Sequence, residues 1–386
     1  MEDTFISRAI KYVGASDRTL DLFEGQYILP EGMAYNSYLI LDEKTAVMDT
    51  VDELVQDKFL ENVKAELAGR ALDYIVVQHL EPDHSGSLEA LVKLYPEAKV
   101  VLSAKAKAMA VNFLDTDISQ RAVTVAEGDT LSLGSHTLHF VTAPMVHWPE
   151  VILSYEESEK VLFAADAFGK FGALDADEDW ACEARRYYFN IVGKYGAQVQ
   201  ALLKKAAALD IKTICPLHGP ILKENLGYYI GLYDTWSSYK PEAEGVFIAY
   251  ATLHGHTRAV AEKLRQMLLD AGCPKVAIAD LSRDDIAECV EDAFKYGKVV
   301  LAASSYDAGV MPKMEDFLHH LKAKNYQNRT VALIENTSWA PSAIRTMKGI
   351  LETMKNITVI EPTVSVKVKL SEENEKQLAE IAKQFA

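Results

Sequence analysis

The chain has 386 residues, of which 49% are hydrophobic and 25% are charged, and its formal net charge is −16. This length and composition are those of a globular protein with two or three domains. The negative charge argues against nucleic acid as a partner, because binding phosphates requires clustered lysines and arginines. The apolar stretches are shorter than the roughly 20 residues that cross a bilayer, so no membrane span is predicted.

Neither the N-terminus nor the cysteines indicate an exported protein. Residues 1–4 contain no basic segment and no apolar core, so no secretory peptide is predicted. No two cysteines form a C-x-x-C pair, and we expect reduced structural thiols in a cytoplasmic protein at Cys182, Cys215, Cys273 and Cys289.

The most informative segment of the first half is residues 79–85, His-Leu-Glu-Pro-Asp-His-Ser. It follows the apolar run 74–77, which predicts a buried strand, so the polar residues come where that strand ends. Alternate side chains of an extended segment point the same way, which predicts that His79, Glu81 and Asp83 converge on one point. His84 would then reach a second point. The segment is a candidate metal site, and the alternative is a polar turn that contains two histidines.

Three further strand-like runs each lead to a histidine or an aspartate. The runs 138–141, 160–165 and 211–215 are followed by His147, Asp166 and His218, respectively. Each of these residues alone could be structural, since Asp is a common turn residue. Four such strand ends are hard to attribute to chance, and together they supply the candidate ligands His79, Glu81, Asp83, His84, His147, Asp166 and His218.

The second half predicts a ligand site of another kind. The run 246–250 predicts a strand and the run 259–269 an amphipathic helix, with a loop of hydroxyls and glycine between them. Backbone N–H groups and a helix N-terminus in such a loop can hold a phosphate, although an ordinary turn is the alternative. The candidate contacts are Thr252, Leu253, His254, Gly255, His256 and Thr257.

Two later strands, predicted at 299–303 and 331–334, end in similar polar and aromatic loops. Open α/β sheets bind ligands at the carboxyl edge where such loops lie. The loop at 252–257 resembles that of the flavodoxins, which implies that Tyr306 and Trp339 lie against a flavin ring. FMN is preferred to FAD because nothing in the sequence indicates an adenosine site. The further candidate contacts are Ser304, Ser305, Asp307, Ala308, Gly309, Asn336, Thr337, Ser338 and Ala340.

These motifs carry a family resemblance. The metal-ligand pattern resembles that of the metallo-β-lactamase fold, and with Glu81 in place of the histidine usual in zinc hydrolases it resembles the flavodiiron proteins. A set of three carboxylates and four imidazoles suits iron as well as or better than zinc. The loop at 252–257 resembles the flavodoxin pattern Thr-x-Thr-Gly-x-Thr, with His254 in place of the second threonine.

The resemblance covers essentially the whole chain and implies its architecture. Residues 1–240 would form a metallo-β-lactamase-like αββα sandwich of the α+β class, and residues 241–245 a linker. Residues 246–386 would form a flavodoxin-like α/β domain, with a doubly wound sheet of five parallel strands.

The resemblance also implies the cofactors and their ligands. One iron would be held by His79, Glu81 and His147, a second by Asp83, His84 and His218, and Asp166 would bridge the two. Tyr195 matches a tyrosine that lies near the irons in relatives. The implied reaction is the reduction of dioxygen to water or of nitric oxide to nitrous oxide, with electrons supplied through FMN.

The implied partners are the gas, an external iron-sulfur or rubredoxin-type electron carrier, and a second copy of the chain. In relatives the FMN of one subunit faces the di-iron site of the next, which implies a head-to-tail homodimer or a dimer of dimers. Such an enzyme would suit oxygen detoxification in an anaerobe. Two alternatives remain open: a binuclear zinc hydrolase with an appended FMN domain, and a flavin carrier whose metal site is vestigial.

Overall fold

A computed structural model describes residues 4–386, and its contacts divide the chain into two compact units. Unit 1 comprises the chain up to Tyr188 together with Ala197–Asp234, and unit 2 comprises Phe189–Gly196 together with Thr235–Ala386. Residues 1–3, part of the segment examined for a secretory signal, lie outside the described residues.

Unit 1 is rich in short strands. They are β1 (Ile10–Tyr12), β2 (Ala15–Asp17), β3 (Leu22–Phe23), β4 (Tyr27–Ile28), β5 (Met33–Tyr35), β6 (Tyr38–Leu41), β7 (Thr45–Met48), β8 (Tyr74–Val77), β9 (Lys99–Ser103), β10 (Ala122–Val125), β11 (Thr130–Ser132), β12 (Thr137–Thr142), β13 (Ile152–Glu156), β14 (Val161–Phe163) and β15 (Thr213–Cys215).

Most of these strands form two sheets with a shared core. One sheet has the order β1-β6-β7-β8-β9-β10 and the other the order β11-β12-β13-β14-β15. Because side chains alternate along a strand, each sheet turns one apolar face inward. The core includes Met48 and Val76 from the first sheet and Phe140 and Phe163 from the second. Cys215 lies in the same core, and burial raises the pKa of its thiol.

Helices pack on the first sheet of the sandwich, as expected of the αββα arrangement of a metallo-β-lactamase-like domain. Helix α1 (Gln56–Leu67) packs against β6, and α4 (Ala104–Ala110) packs against β9 and β10. The helices up to the start of unit 2's main segment are α1 (Gln56–Leu67), α2 (Pro82–Ser85), α3 (Leu88–Leu94), α4 (Ala104–Ala110), α5 (Trp180–Tyr187), α6 (Gly196–Ala206) and α7 (Leu226–Ser237), with single turns at Glu53–Val55 and Gly193–Tyr195 and a π-helix at Tyr188–Val192.

Unit 2 alternates strands with helices. Its strands are β16 (Ala243–Ala251), β17 (Val276–Asp280), β18 (Tyr296–Tyr306), β19 (Gly309–Val310), β20 (Gln327–Thr337), β21 (Lys355–Val359) and β22 (Val364–Lys367). Its helices are α8 (His256–Asp270), α9 (Ile286–Lys295), α10 (Pro312–Ala323), α11 (Ala343–Leu351) and α12 (Glu372–Phe385).

The five main strands of unit 2 are parallel and have the order β17-β16-β18-β20-β21, as a flavodoxin-like fold requires. Ile248 and Val300 point to one face, where α8 and α12 supply Leu264 and Ile381 to the core. Phe247 points the other way, and its ring centroid lies 6.4 Å from that of Phe317 in α10. Helices therefore cover both faces, which is the doubly wound arrangement.

The structure differs from the sequence-based expectation at three places. The strand expected at 160–165 is limited to β14, because Lys160 and Ala165 on either side of it have positive φ angles of 63° and 47°. Two strands instead of one occupy the last position of the parallel sheet, since β21 and β22 both pair with β20. Residues 243–245 of the expected linker lie in β16, so the polar composition there does not mark an extended connector.

The described chain contains no helix of the length and apolar character that a membrane crossing needs.

Candidate metal centre and cofactor cleft

The seven candidate ligands all lie in unit 1, each on a loop or short helix that follows a strand. His79 comes two residues after β8, Asp166 three residues after β14, and His218 three residues after β15. His147 lies in the loop between β12 and β13. Six of the seven side chains are buried and Glu81 is half-buried, so the site is largely shielded from water.

The ligand atoms form two clusters. In the first cluster, defined by His79, Glu81 and His147, the Oε2 atom of Glu81 lies 3.1 Å from Nε2 of His79 and 2.9 Å from Nε2 of His147. In the second cluster, defined by Asp83, His84 and His218, the Asp83 Oδ2 atom lies 3.2 Å from Nε2 of His84. The same oxygen lies 3.1 Å from Nε2 of His218.

Asp166 lies between the clusters and turns one oxygen to each. Its Oδ2 atom is 3.3 Å from Nε2 of His79 and 3.4 Å from Nε2 of His147. Its Oδ1 atom is 3.0 Å from Nε2 of His84 and 3.8 Å from Nε2 of His218. A carboxylate in this position can bridge two ions.

The expectation that Asp83 converges with His79 and Glu81 is wrong. Glu81 is extended, as a residue before proline usually is, but Pro82 begins the short helix α2. The helical turn replaces the alternation of an extended segment and directs Asp83 to the second cluster. The two clusters contain the same residues as the two ligand sets that the family resemblance implied; their role as iron ligands stays a prediction.

The electrostatics of the site favour cations. Burial disfavours the charged forms, but Asp166, Glu150 and Glu81 outweigh it and raise the pKa of His79 well above its usual value. Burial likewise opposes ionisation of Asp166, yet His84 and His79 hold the pKa of its carboxyl well below the usual value. Against its partial burial, His147 and His79 lower the pKa of Glu81 to about 2. Negative carboxylates therefore face atoms that hold positive charge, whether protons or metal ions supply it.

The residues present fit two metal ions. Several buried polar atoms make no hydrogen bond of good geometry with any described residue: both carboxylate oxygens of Asp83 and Asp166, and the Nε2 atoms of His84, His147 and His218. Buried polar groups are almost always satisfied, so this concentration at one point indicates missing partners. Four imidazoles and three carboxylates form a donor set that suits iron.

Sequence reasoning missed the residues that hold the ligands in place. The Nδ1 atom of His79 donates to the Glu150 carboxylate at 2.8 Å, and Nδ1 of His218 donates to the Ala34 carbonyl at 2.7 Å. The buried Asp49 carboxylate accepts a hydrogen bond of 2.7 Å from the backbone N–H of Gln78. In the sequence, Glu150 is marked only by its position three residues after His147. That spacing does not show whether the Glu150 carboxylate is buried or exposed.

Aromatic rings line the site. The rings of Phe23, Tyr35 and Tyr187 lie with their centroids 5.7, 5.8 and 5.5 Å from that of His218. The Trp148 ring stands perpendicular to His79 at 5.2 Å.

Tyr195, the expected helper, belongs to unit 2, whereas the seven candidate ligands belong to unit 1. Its ring is half-buried, and the Lys194 ammonium lies 5.9 Å from the ring centroid. Tyr187 and Tyr35, both in unit 1, contact His218 and are tyrosines that the structure brings to the second cluster.

Unit 2 contains a cleft of about 490 Å³ at the carboxyl edge of its parallel sheet. This volume is in the range of small-molecule and cofactor sites. Of the seventeen predicted contacts, fifteen line the cleft, and Gly255 and Gly309 do not. Two residues that were not predicted, Ser342 and Val368, also line it. The predicted lining residues are Thr252, Leu253, His254, His256, Thr257, Ser304, Ser305, Tyr306, Asp307, Ala308, Asn336, Thr337, Ser338, Trp339 and Ala340.

The loop before α8 is shaped as an anion cradle. Gly255 has a φ of 86°, a conformation that favours glycine, and it allows the chain to turn into the helix N-terminus. The Thr252 hydroxyl accepts a hydrogen bond from the Gly255 N–H at 3.1 Å, and the hydroxyls of Thr257 and Ser304 lie 2.9 Å apart. Hydroxyls beside a free helix N-terminus suit a phosphate.

The opposite part of the cleft is aromatic and open. Trp339 is 88% exposed and Tyr306 is 42% exposed, although both are large apolar side chains. A planar ring system bound between these residues would cover surface that is otherwise in water. Phosphate cradle and aromatic walls together fit FMN.

Comparisons with known proteins agree with this two-part organisation. A family model described as ODP family beta lactamase matches residues 33–219, and one described as a flavodoxin domain matches residues 247–366. An anaerobic nitric oxide reductase flavorubredoxin of Vibrio vulnificus is 30% identical over 88% of this chain and 71% of its own length. A nitric oxide reductase of Moorella thermoacetica is 29% identical over 94% of this chain and 92% of its own.

A solved structure extends the similarity to the whole chain. The rubredoxin oxygen:oxidoreductase from Desulfovibrio gigas superposes with a TM-score of 0.91 at 28% sequence identity. The match covers 99% of this chain and 97% of that protein. Both halves and their order are therefore shared.

The bridging position of Asp166 gives a first prediction. The substitution Asp166→Asn keeps the shape but removes the charge shared by both clusters, so we expect the metal content of the purified chain to fall by about one ion or more. Metal analysis after growth with ample iron measures this. Asp210→Asn, at an exposed carboxylate paired with Lys160, is the matched control and should leave the content unchanged. Full metal content in Asp166→Asn would contradict the bridge.

The open aromatic wall gives a second prediction. Trp339→Ala should weaken FMN binding about threefold to tenfold, the equivalent of roughly 0.5–1.5 kcal/mol for one aromatic contact. Fluorescence titration of the flavin-free chain with FMN measures the dissociation constant. Leu269→Ala, at a 42% exposed position near the far end of α8, serves as the control. Equal affinity in both variants would show that the cleft does not hold the flavin ring through Trp339.

Proposed function

This chain belongs to the family of flavodiiron proteins, and from that premise we propose that it reduces dioxygen to water, nitric oxide to nitrous oxide, or both. It is an oxidoreductase with FMN and a di-iron site as its cofactors. The observation that carries the proposal is the pairing, on one chain, of a buried cluster of three carboxylates and four imidazoles with an aromatic phosphate-binding cleft.

The proposed ligand assignment follows the two clusters. One iron is held by the first cluster, the other by the second cluster, and Asp166 contacts both. FMN occupies the cleft of unit 2, with its phosphate at residues 252–257 and its ring near Tyr306 and Trp339. When bound, reduced flavin and two ferrous ions together hold the four electrons that dioxygen needs to become water, whereas two nitric oxide molecules need two.

The chain itself supplies charge, position and exclusion of water. Glu81, Asp83 and Asp166 balance the positive charge of two ions inside a buried site. The Glu150 carboxylate behind His79 and the Ala34 carbonyl behind His218 keep the Nε2 atoms of the two rings directed at the clusters. Rings packed around His218 and His79, with six of the seven ligand side chains buried, shield the site from water, which suits a small uncharged gas as substrate.

A binuclear zinc hydrolase with an appended FMN domain is not favoured. Zinc hydrolases of this fold usually have histidine at the position of Glu81, and a hydrolytic reaction has no use for a flavin cleft. Bound zinc without iron would nevertheless support that alternative.

We propose that the electrons come from an external rubredoxin-type carrier. The similarity to a rubredoxin oxygen:oxidoreductase over the whole chain supports this. We further propose a cytoplasmic location, which the lack of a disulfide between any of the four cysteines supports, and a role in oxygen or nitric oxide detoxification in an anaerobe.

The dependence on a carrier gives a third prediction. NADH alone should give negligible gas consumption, and addition of a rubredoxin with its reductase should start it, with hydrogen peroxide a minor product. An oxygen or nitric oxide electrode with a parallel peroxide assay measures this. Glu81→Ala should stop gas consumption and leave the flavin reducible, since the two cofactors occupy separate units. Vigorous NADH oxidation by the isolated chain, or stoichiometric peroxide, would contradict this electron path.

We also propose that the working unit is a head-to-tail homodimer or a dimer of dimers. Large exposed apolar surface often marks an interaction site, and Trp339, Tyr306 and Leu253 form such a surface at the mouth of the cleft. A partner subunit that covers them would bring its metal centre to the flavin.

Subunit mixing tests this arrangement as a fourth prediction. One chain carries His147→Ala and the other carries Thr257→Ala with Trp339→Ala, and each should be inactive alone. Mixed dimers should recover part of the activity, because the intact flavin of one chain faces the intact metal site of the other. The measurement is gas consumption after co-refolding or co-expression. A fully active monomer at high dilution would refute the arrangement.

A further inference from the structure

The two metal clusters differ in what lies behind one histidine of each, His79 in the first and His218 in the second. The Nδ1 atom of His79 donates to the Oε1 atom of Glu150 at 2.8 Å, and both side chains are fully buried. In the second cluster, Nδ1 of His218 donates to the neutral backbone carbonyl of Ala34 at 2.7 Å. One imidazole is thus backed by a full negative charge and the other by a dipole.

Glu150 is held so that its carboxylate serves His79. Its Oε1 atom also accepts the backbone N–H of Leu80 at 3.0 Å, and its backbone carbonyl accepts the Ser103 hydroxyl at 2.8 Å. Its Oε2 atom has no hydrogen-bond partner among the described residues. A buried carboxylate needs a compensating charge, and the charge within reach of Glu150 is the one carried through the His79 ring.

A carboxylate behind a ligating imidazole has two effects. It fixes the tautomer with hydrogen on Nδ1, which leaves the Nε2 lone pair directed at the metal position. It also raises the basicity of the ring, and loss of such a partner typically weakens metal binding roughly 10-fold to 100-fold. A carbonyl provides the first effect but less of the second, because it carries no net charge.

We infer that Glu150 is a positioning residue that makes the two metal positions unequal, so that the first cluster binds its ion more tightly than the second. This rests on the proposed function, since it takes the seven side chains as iron ligands. The first cluster would then keep its iron under conditions in which the second is depleted.

Iron retention tests the inequality directly. The iron-loaded full chain is dialysed without oxygen against increasing concentrations of a ferrous chelator, and retained iron is measured by metal analysis. The wild-type chain should lose one iron first and the second at a chelator concentration at least about tenfold higher. Simultaneous loss of both irons would overturn the inference.

The variant Glu150→Gln tests the cause. The amide can still accept the hydrogen bond from His79, but it lacks the charge. The chelator concentration that removes the second, tightly held iron should therefore fall roughly tenfold or more, whereas the concentration that removes the first iron should not change. Glu156→Gln is the matched control, because Glu156 is a fully buried glutamate near Glu150 in sequence whose carboxylate accepts from Ser158. An unchanged chelator concentration for the tightly held iron in Glu150→Gln, at an unchanged melting temperature, would overturn the assigned role.

Two ligand variants identify which iron is which, and they decide the question even if Glu150→Gln does not fold. His218→Ala should retain the tightly held iron and lose the weak one, whereas His147→Ala should do the reverse. The opposite pattern would overturn the inference. Failure of the proposed function is a different result, because a wild-type chain that binds no iron at all would show no steps to compare.

Discussion

The organisation of unit 1 depends on one constraint. Three carboxylates, Glu81, Asp83 and Asp166, lie together in a site largely shielded from water, and they need positive charge between them. The constraint is clearest at Asp166, whose buried carboxylate has the Nε2 atoms of four histidines within 3.8 Å of its oxygens. Without cations the histidines must hold protons; with metal ions the same atoms become ligands. Either way the positive charge joins four separate loops, so the metal centre also stabilises the edge of the sandwich.

Strand ends position both sites. In unit 1, β14 and β15 are adjacent parallel strands of one sheet and β8 belongs to the other, and each of the three is followed by a ligand loop. In unit 2, β16, β18 and β20 are adjacent parallel strands, and their carboxyl ends deliver the three loops of the cleft. A rigid sheet edge fixes the starting points of the loops to within a strand spacing, which is why a few side chains from distant parts of the sequence can meet.

Site residues whose position follows from a strand end could be predicted from the sequence. Residues whose position depends on a local turn or on burial could not. His147, Asp166, His218 and most of the cleft follow apolar runs, so their convergence could be anticipated. The grouping of Asp83 depended on one helical turn after Pro82, which the pattern of alternation misses. Glu150 depended on knowing that a glutamate is buried, and a single sequence does not show which charged residue leaves the surface.

Cys215 shows how the alternation of side chains along a strand governs which donor atoms the centre contains. It lies only three residues before His218, close enough in sequence for a sulfur ligand to be available. The alternation of β15 instead turns the thiol into the core between the sheets, where burial keeps it protonated. A thiolate would have drawn soft ions such as zinc or cuprous copper. With sulfur facing inward, the two clusters consist of nitrogen and oxygen donors alone, so the strand direction keeps a soft thiolate out of the metal centre.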